Sequence, residues 1–332
     1  MLKNSAIVAL ALWAATACRD GRGSGNGSAD SAQPSRTESL MGSPRDAEPV
    51  HASFRNVVLH VTNNVTLEVR YLDGALVGKP PTDIPVFDDQ GSFTLRIDSA
   101  ELALSPQSLT HLLNDHVFAR KGSPLTDLEV SIENGALKQK GKIRKGIAIP
   151  FTVVSDVAAT DDGHIRLRPR TITAAGLPTE RLMRLFGIEL DDLLETDRAQ
   201  AMWAVKNDLI ISPNRLLPEP RIEGRLTAIR LEDGRIIQQF GPPLPASSTS
   251  AASSPNHMYY RGGTLRFGKL TMSDADMELI DADPSDPFDF FPRRYKEQLV
   301  AGYSKNTLRG GLKVYMPDFD DARDVAERVI ER

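Results

Sequence analysis

Four Asx-Gly dipeptides, each set among residues that alternate between apolar and polar, limit most strongly what this chain can fold into. They are Asp73-Gly74, Asn134-Gly135, Asp162-Gly163 and Asp233-Gly234. Asn and Asp tolerate left-handed backbone and Gly adopts it freely, so the pair suits a tight hairpin. The runs around them repeat with period two: Val65, Leu67, Val69, Tyr71; Phe93, Leu95, Ile97; Leu128, Val130, Ile132; Ile147, Ile149, Phe151, Val153. Such alternation makes a strand with one buried face. Strands joined by two-residue turns run antiparallel, because a parallel pair needs a long crossover. The body therefore reads as an antiparallel meander and not as a parallel α/β sheet.

Two helices interrupt the strands. Ser105 is a good N-cap and Pro106 suits the first helical position. Leu109, Leu112, Leu113, His116 and Val117 then share one helical face. A second helix begins near Pro178, with Leu182, Leu185 and Phe186 on one side, continued by Leu190, Leu193 and Leu194. Both read as covers for the sheet's apolar face. Toward the C-terminus, Thr264–Leu270 and Met277–Ile280 predict a strand pair separated by Ser273-Asp274-Ala275-Asp276. Leu312–Met316 predicts a last strand, followed by a short helix with Val325, Ala326 and Val329 on its apolar side.

The chain has 332 residues and a single cysteine, Cys18. One cysteine permits neither an internal disulfide nor a Cys-based zinc site, so the fold rests on packing. Lys3, the apolar run Ala6–Ala15 and the small residues Ala15-Thr16-Ala17 precede Cys18. This arrangement resembles a bacterial lipoprotein signal, with Ala15 where that pattern usually carries Leu. The resemblance implies that residues 1–17 are removed and that Cys18 is lipidated, anchoring the chain to a membrane of the cell envelope. Ordinary secretion, with Cys18 a bystander, is the alternative. Arg19 after the cysteine favours the periplasmic face of the outer membrane by analogy with enteric lipoprotein sorting. Residues 18–50 are rich in Gly, Ser, Ala and Pro and read as a flexible tether of about 30 Å root-mean-square reach. A Pro/Ser-rich break at 241–256 separates a body, 51–240, from a C-terminal extension, 257–332.

Chemistry leaves little trace. The formal charge of −4 argues against a nucleic-acid partner, which favours a basic stripe. No Gly-x-Ser-x-Gly elbow, phosphate loop or dinucleotide fingerprint occurs. His111 and His116 are five apart and cannot face one metal from a straight helix. His116 reads as a half-buried core residue and His164 as a solvated one. Asp274, Asp276, Glu278, Asp281, Asp283, Asp286 and Asp289 could offer oxygen ligands to calcium, but their spacing fails the EF-hand and the first three alternate like a solvent-facing strand. No catalytic residue, metal ligand or cofactor is assigned. Arg166, Arg168 and Arg170 share one strand face, either solvated or facing a phosphate.

From about Ile97 to Phe240 the chain resembles bacterial lipid-binding proteins of the tubular, TULIP-like superfamily, including the mycobacterial mannosyltransferase-associated phospholipid-binding type. The resemblance runs through Ser105-Pro106-Gln107-Ser108-Leu109, Asn134-Gly135, Ile147-Ala148-Ile149-Pro150-Phe151, Asp162–Leu167, Gly176-Leu177-Pro178, Leu209–Pro213 and Ile222–Leu231. It implies an α+β fold, a long curved antiparallel meander wrapped on one or two helices; it does not extend to 257–332, which read from their own pattern as a small β-rich extension. It also implies an apolar groove holding a phospholipid or other acyl lipid, with Leu109, Leu112, Leu113, Val117, Leu182, Leu185 and Phe186 as lining candidates, and no covalent chemistry. Each buried methylene contributes about 0.8 kcal/mol, so acyl binding needs no catalytic signature. The rival reading is an assembly lipoprotein that holds an envelope protein through Tyr259, Tyr260, Phe288, Phe290, Phe291, Tyr295 and Tyr303 of its C-terminal part.

Overall fold

The computed structural model describes residues 48–322, except 120, 122, 124, 146, 176, 179–201, 206–207, 245–251, 253 and 309. Cys18, the proposed helix carrying Leu182, Leu185 and Phe186, and the helix at Val325–Val329 therefore lie outside the described residues.

The chain begins with three long strands, β1 (Val50–Thr62), β2 (Val65–Gly78) and β3 (Phe93–Leu104). Helix α1 (Pro106–Leu112) follows and runs into a π turn at Leu113–Val117. Next come β4 (Leu125–Glu133), β5 (Ala136–Lys145), β6 (Ile147–Ala159), β7 (Ile165–Ala174) and the short β8 (Leu177–Pro178), β9 (Met202–Val205) and β10 (Asp208–Ile211). Then β11 (Arg221–Glu223), β12 (Leu226–Glu232) and β13 (Arg235–Phe240) return to the first strands. The remainder is β14 (His257–Phe267), β15 (Leu270–Asp281), β16 (Phe288–Phe290), helix α2 (Tyr295–Ala301), β17 (Tyr303–Asn306) and β18 (Leu312–Met316).

These strands make two sheets. One has the order β12-β13-β3-β2-β1-β14-β15-β18-β17, with β11 beside β3 and β16 beside β1. The other has the order β4-β5-β6-β7-β10-β9, with β8 beside β7. The fold is β-dominated and antiparallel-rich, with one sheet curled into a half-barrel and few helices. Three pairings are parallel: β1 with β16, β3 with β11 and β15 with β18. Apolar residues of both sheets join one core, from Phe54, Leu104 and Phe240 in the first to Leu128, Leu137 and Leu167 in the second. Because β14 pairs with β1, residues 257–332 contribute strands to the sheet begun by the N-terminal meander.

Three of the four Asx-Gly pairs make turns. Asn134 and Gly135 have φ of 50° and 69°, and Asp233 and Gly234 have 51° and 70°, as a tight hairpin requires. Gly163, with φ 86°, closes the β6–β7 connection. Asp73-Gly74 does not turn the chain; β2 runs straight through it. The register against β3 shifts there, so the pair forms a bulge. A Cβ on Gly74 would lie 2.1 Å from the Arg96 carbonyl oxygen, which explains the glycine by close backbone approach. Ser273–Asp276 likewise lies inside β15, and the actual reversal is at Gly268, with φ 58°.

Candidate functional site

The second sheet has two faces of opposite character. On one, Lys138, Lys140 and Lys142 of β5 reach across to Glu133, Glu129 and Asp127 of β4 at 2.8, 3.8 and 2.8 Å. Arg166, Arg168 and Arg170 of β7 are paired as well. Arg166 and Arg168 lie 3.9 and 3.5 Å from Asp208, and Arg170 Nε donates to Asp156 Oδ1 at 2.8 Å. Bonding to Arg170 holds the Asp156 carboxyl below its usual range. The arginine row is thus an ion-paired face.

The other face is apolar. Cross-strand partners place Leu125, Ile143 and Ile149 in one row, Gly141, Phe151 and Ala174 in the next, and Gln139, Val153 and Ile172 after that. Further along, beyond the row Leu137, Ser155 and Pro169, in which Ser155 is buried at 1%, Val157, Leu167 and Leu209 form a row, then Ala159, Ile165 and Ile211. Phe151 closes over Gly141, where a Cβ would meet its ring at 2.9 Å. The Leu167 end is sealed in the core at 3% exposure. Toward the opposite end exposure is uneven: Ile149 and Ala174 stay buried at 7% and 8%, Phe151 and Val153 are half-buried, and Ile172 is 37% and Ile147 65% exposed. An apolar lane therefore runs from the core to the surface.

Helix α1 and its π turn flank this sheet at the β4 edge. Ser105 caps the helix as its sequence predicts, accepting from the Ser108 amide at 2.9 Å. Thr110 Oγ1 accepts from the Val130 amide at 2.9 Å. Asn114 accepts from the Leu128 amide at 3.0 Å and donates to the Leu128 carbonyl at 2.7 Å. Side chains thus satisfy an edge that would otherwise invite another strand. Of the lining candidates on this helix, Leu112 is fully buried and Leu113 is 8% exposed. Leu109 and Val117 are partly buried and pack against the same core. The π turn is a rare local geometry that sequence periodicity does not reveal.

The acidic residues of the C-terminal part do not form a cation cage. Among the described residues, no three or more His, Cys, Asp or Glu side chains converge as metal ligands. Glu278, expected on a solvent-facing side, is buried at 4% and lies 3.1 Å from Lys313. Tyr259 donates to Asp276 at 2.9 Å. Asn256, 2% exposed, donates to Asp281 at 2.9 Å. Burial pushes the Asp281 carboxyl up against hydrogen bonds from Asn256 and the Asp283 amide, and the charges of Asp286 and Asp283 add to the rise. Asp318 is pushed up to about 7 by burial and by the neighbouring charges of Asp281, Asp286 and Asp289, against a bond from the Asp289 amide. His164 is half-buried, not solvated: its ring packs edge-on against Trp203 at 4.9 Å.

The C-terminal aromatics are mostly interior. Phe288 and Phe290 have no exposed surface, and Tyr260, Phe291 and Tyr295 are buried at 2–3%. They pack among Phe54, Phe87 and Phe267 because β14 sits beside β1. Tyr303 alone of the seven is largely exposed, at 52%.

Comparisons with family models, curated proteins and solved structures give no match to this chain.

Proposed function

We propose that this chain is a membrane-tethered lipoprotein of the cell envelope that binds, and can carry, an acyl lipid without covalent chemistry. The observation that carries this reading is the apolar lane of the second sheet, which starts in the sealed core at Leu167 and reaches solvent at Ile172 and Ile147. An acyl chain laid along Phe151, Val153 and Ile172 would extend the core outward. Half of a 16-carbon chain buried there gives about 6 kcal/mol before ordering costs. In this reading Leu109, Leu112, Leu113 and Val117 stand on the helix beside the lane; Leu182, Leu185 and Phe186, nominated from the sequence, lie outside the described residues. The TULIP-like resemblance, with its curved meander around a helix, agrees in kind. Cys18 supplies the anchor, residues 18–50 the reach, and the outer membrane's periplasmic face the expected address.

Native mass spectrometry of the chain purified with Cys18→Ser, followed by organic extraction, tests the reading. Co-purifying lipid, or saturable uptake of a fluorescent acyl probe that Val153→Asp abolishes, is the expected result. Protein that carries no lipid and takes up no probe refutes it.

A second reading, an envelope protein partner held by the C-terminal part, has one specific support. Val300 (85% exposed), Tyr303 (52%) and Leu308 (fully exposed) cluster within nine residues around β17, every residue of which is exposed. Deleting 257–332 cannot test it, since β14 and β15 lie inside the first sheet. The double change Val300→Asp with Leu308→Asp can, by abolishing co-purification of a partner while acyl uptake persists.

A further inference from the structure

At the β4 edge, where the π turn ends, a pocket of about 300 Å³ opens between helix and strand, with Phe118, Lys121, Leu125, Thr126, Asp127 and Arg144 in its wall. Its chemistry is asymmetric. Phe118 and Leu125 give it an apolar side. Lys121 and Arg144 give it two exposed cations that make no hydrogen bond or ion pair among the described residues. The one carboxylate in the wall, Asp127, is already bound by Lys142 at 2.8 Å. That bond, first among the causes, holds the Asp127 carboxyl below its usual range, so it stays ionised and engaged. Arg144 also acts on Asp127 through its charge, so one carboxylate faces Lys142, Arg144 and Lys121, and the wall carries excess positive charge beside an apolar surface.

The local backbone is bent to make it. Register between β4 and β5 slips between Thr126 and Glu129, and Asp127 adopts φ 55°. Bulges of this kind redirect side chains and recur beside functional sites. The bulge leaves Thr126 Oγ1 buried with no hydrogen-bond partner among the described residues. A buried hydroxyl without a partner opposes stability, and the fold keeps one in this wall. Leu125 begins the row Leu125–Ile143–Ile149 of the apolar face, whereas Arg144 alternates with Ile143 and continues the lysine row of the charged face, so the pocket stands at the sheet edge where the two faces meet.

We propose that this pocket binds a phosphate monoester or diester anion, with Arg144 and Lys121 donating to its oxygens and Phe118 and Leu125 contacting the apolar group attached to it. A guanidinium offers two parallel donors to a phosphate, and an ammonium adds a point charge. The volume is at the low end for a ligand site, enough for a headgroup while any acyl chain lies along the lane. The inference deepens the lipid-binding reading and rests on it for the chain, but the anion site stands on its own residues.

Calorimetric titration of the full chain separates the two. The probes are dodecyl phosphate, dodecyl maltoside and sodium phosphate, each below any micelle concentration and at low ionic strength. Arg144→Gln with Lys121→Gln changes two exposed side chains, and unchanged circular dichroism checks that the variant folds. The expected result is dodecyl phosphate bound about tenfold or more weakly by the variant, with dodecyl maltoside unaffected. Added salt weakens dodecyl phosphate binding to the wild-type chain in the same direction. Equal binding of dodecyl phosphate by both proteins overturns the pocket. Dodecyl maltoside binding with no phosphate preference overturns it too and leaves the lipid reading standing. Sodium phosphate bound through Arg144, with neither amphiphile gaining from its chain, keeps the pocket as a free-phosphate site and removes the lipid reading.

Discussion

Replacing Asp318 by Asn should make the protein more stable at neutral and alkaline pH and leave it little changed in acid. Asp318 follows β18 and anchors the chain there: its Oδ1 accepts from the Asp289 amide at 2.8 Å. Phe319, beside it, is 4% exposed and packs against Phe291 and His60 at 5.0 and 5.4 Å between ring centres. The Arg294 guanidinium covers the same ring at 4.7 Å, and His60 Nε2 lies 2.5 Å from Asp289. Burial, with the charges of Asp281, Asp286 and Asp289, pushes the Asp318 carboxyl from 3.8 up to about 7. The folded chain thus holds a proton that the unfolded chain releases above about pH 4. Stability from this group is complete below that point and is lost as pH rises through about 7. A rise of about three units corresponds to at most ~4 kcal/mol at 1.36 kcal/mol per unit. Solvent screening of a half-buried carboxyl reduces that to about 1–2 kcal/mol. The amide of Asn keeps the acceptor for the Asp289 N–H and never ionises. Melting temperatures of both proteins, measured from pH 4 to pH 8.5, should therefore diverge by about 3–6 °C at the alkaline end. Taking the difference between the proteins cancels the titrating groups that do not interact with Asp318 and leaves this coupled acidic cluster. A difference that is flat with pH, or that favours the wild type as pH rises, refutes the reasoning.

Other changes probe the frame around the site. Gly74→Ala should cost at least about 2 kcal/mol in urea unfolding, because its Cβ would sit 2.1 Å from the Arg96 carbonyl oxygen and neither strand can move alone. Asn114→Ala should lower stability by about 2 kcal/mol and speed hydrogen exchange at the Leu128 amide, which it leaves unpaired at an edge. Gln298→Leu should cost about 3 kcal/mol: its side chain has no exposed surface, accepts from the Phe291 amide at 3.0 Å, and donates to the carbonyls of Asp289 and Pro317 at 2.8 and 2.9 Å. Unfolding midpoints equal to wild type for any of these would show that the contact is not formed in solution.

Strand content and sense were legible because period-two alternation and Asx-Gly turns are local signals. Asn134-Gly135 and Asp233-Gly234 turn the chain where their φ preferences say they should. Asp73-Gly74 has the same letters and a different cause, a close approach of β3 that only the paired strand reveals. Gly268 turns the β14–β15 hairpin without an Asx partner, so the Asp-rich stretch inside β15 looked like the better break. Helix α2 has seven residues and no side-chain cap, too little periodicity to stand out. The N-cap at Ser105 was readable for the opposite reason, since both of its partners lie within four residues of sequence.

Site chemistry was harder to read, since its determinants are relations between strands. Alternation in β6 says that Ile149, Phe151 and Val153 share a face, but only the register against β5 and β7 says which end of that face meets the core. The same holds for charge. Arg166, Arg168 and Arg170 form the more conspicuous row in the sequence, yet Asp156 and Asp208 satisfy them across the strands. Arg144 belongs to an equally regular basic run in β5, but there carboxylates run short: β4 offers Glu133, Glu129 and Asp127 to the three lysines and ends before a fourth, so Arg144 shares Asp127 with Lys142. Excess positive charge accumulates where the complementary strand runs out, at the sheet edge where the charged and apolar faces meet.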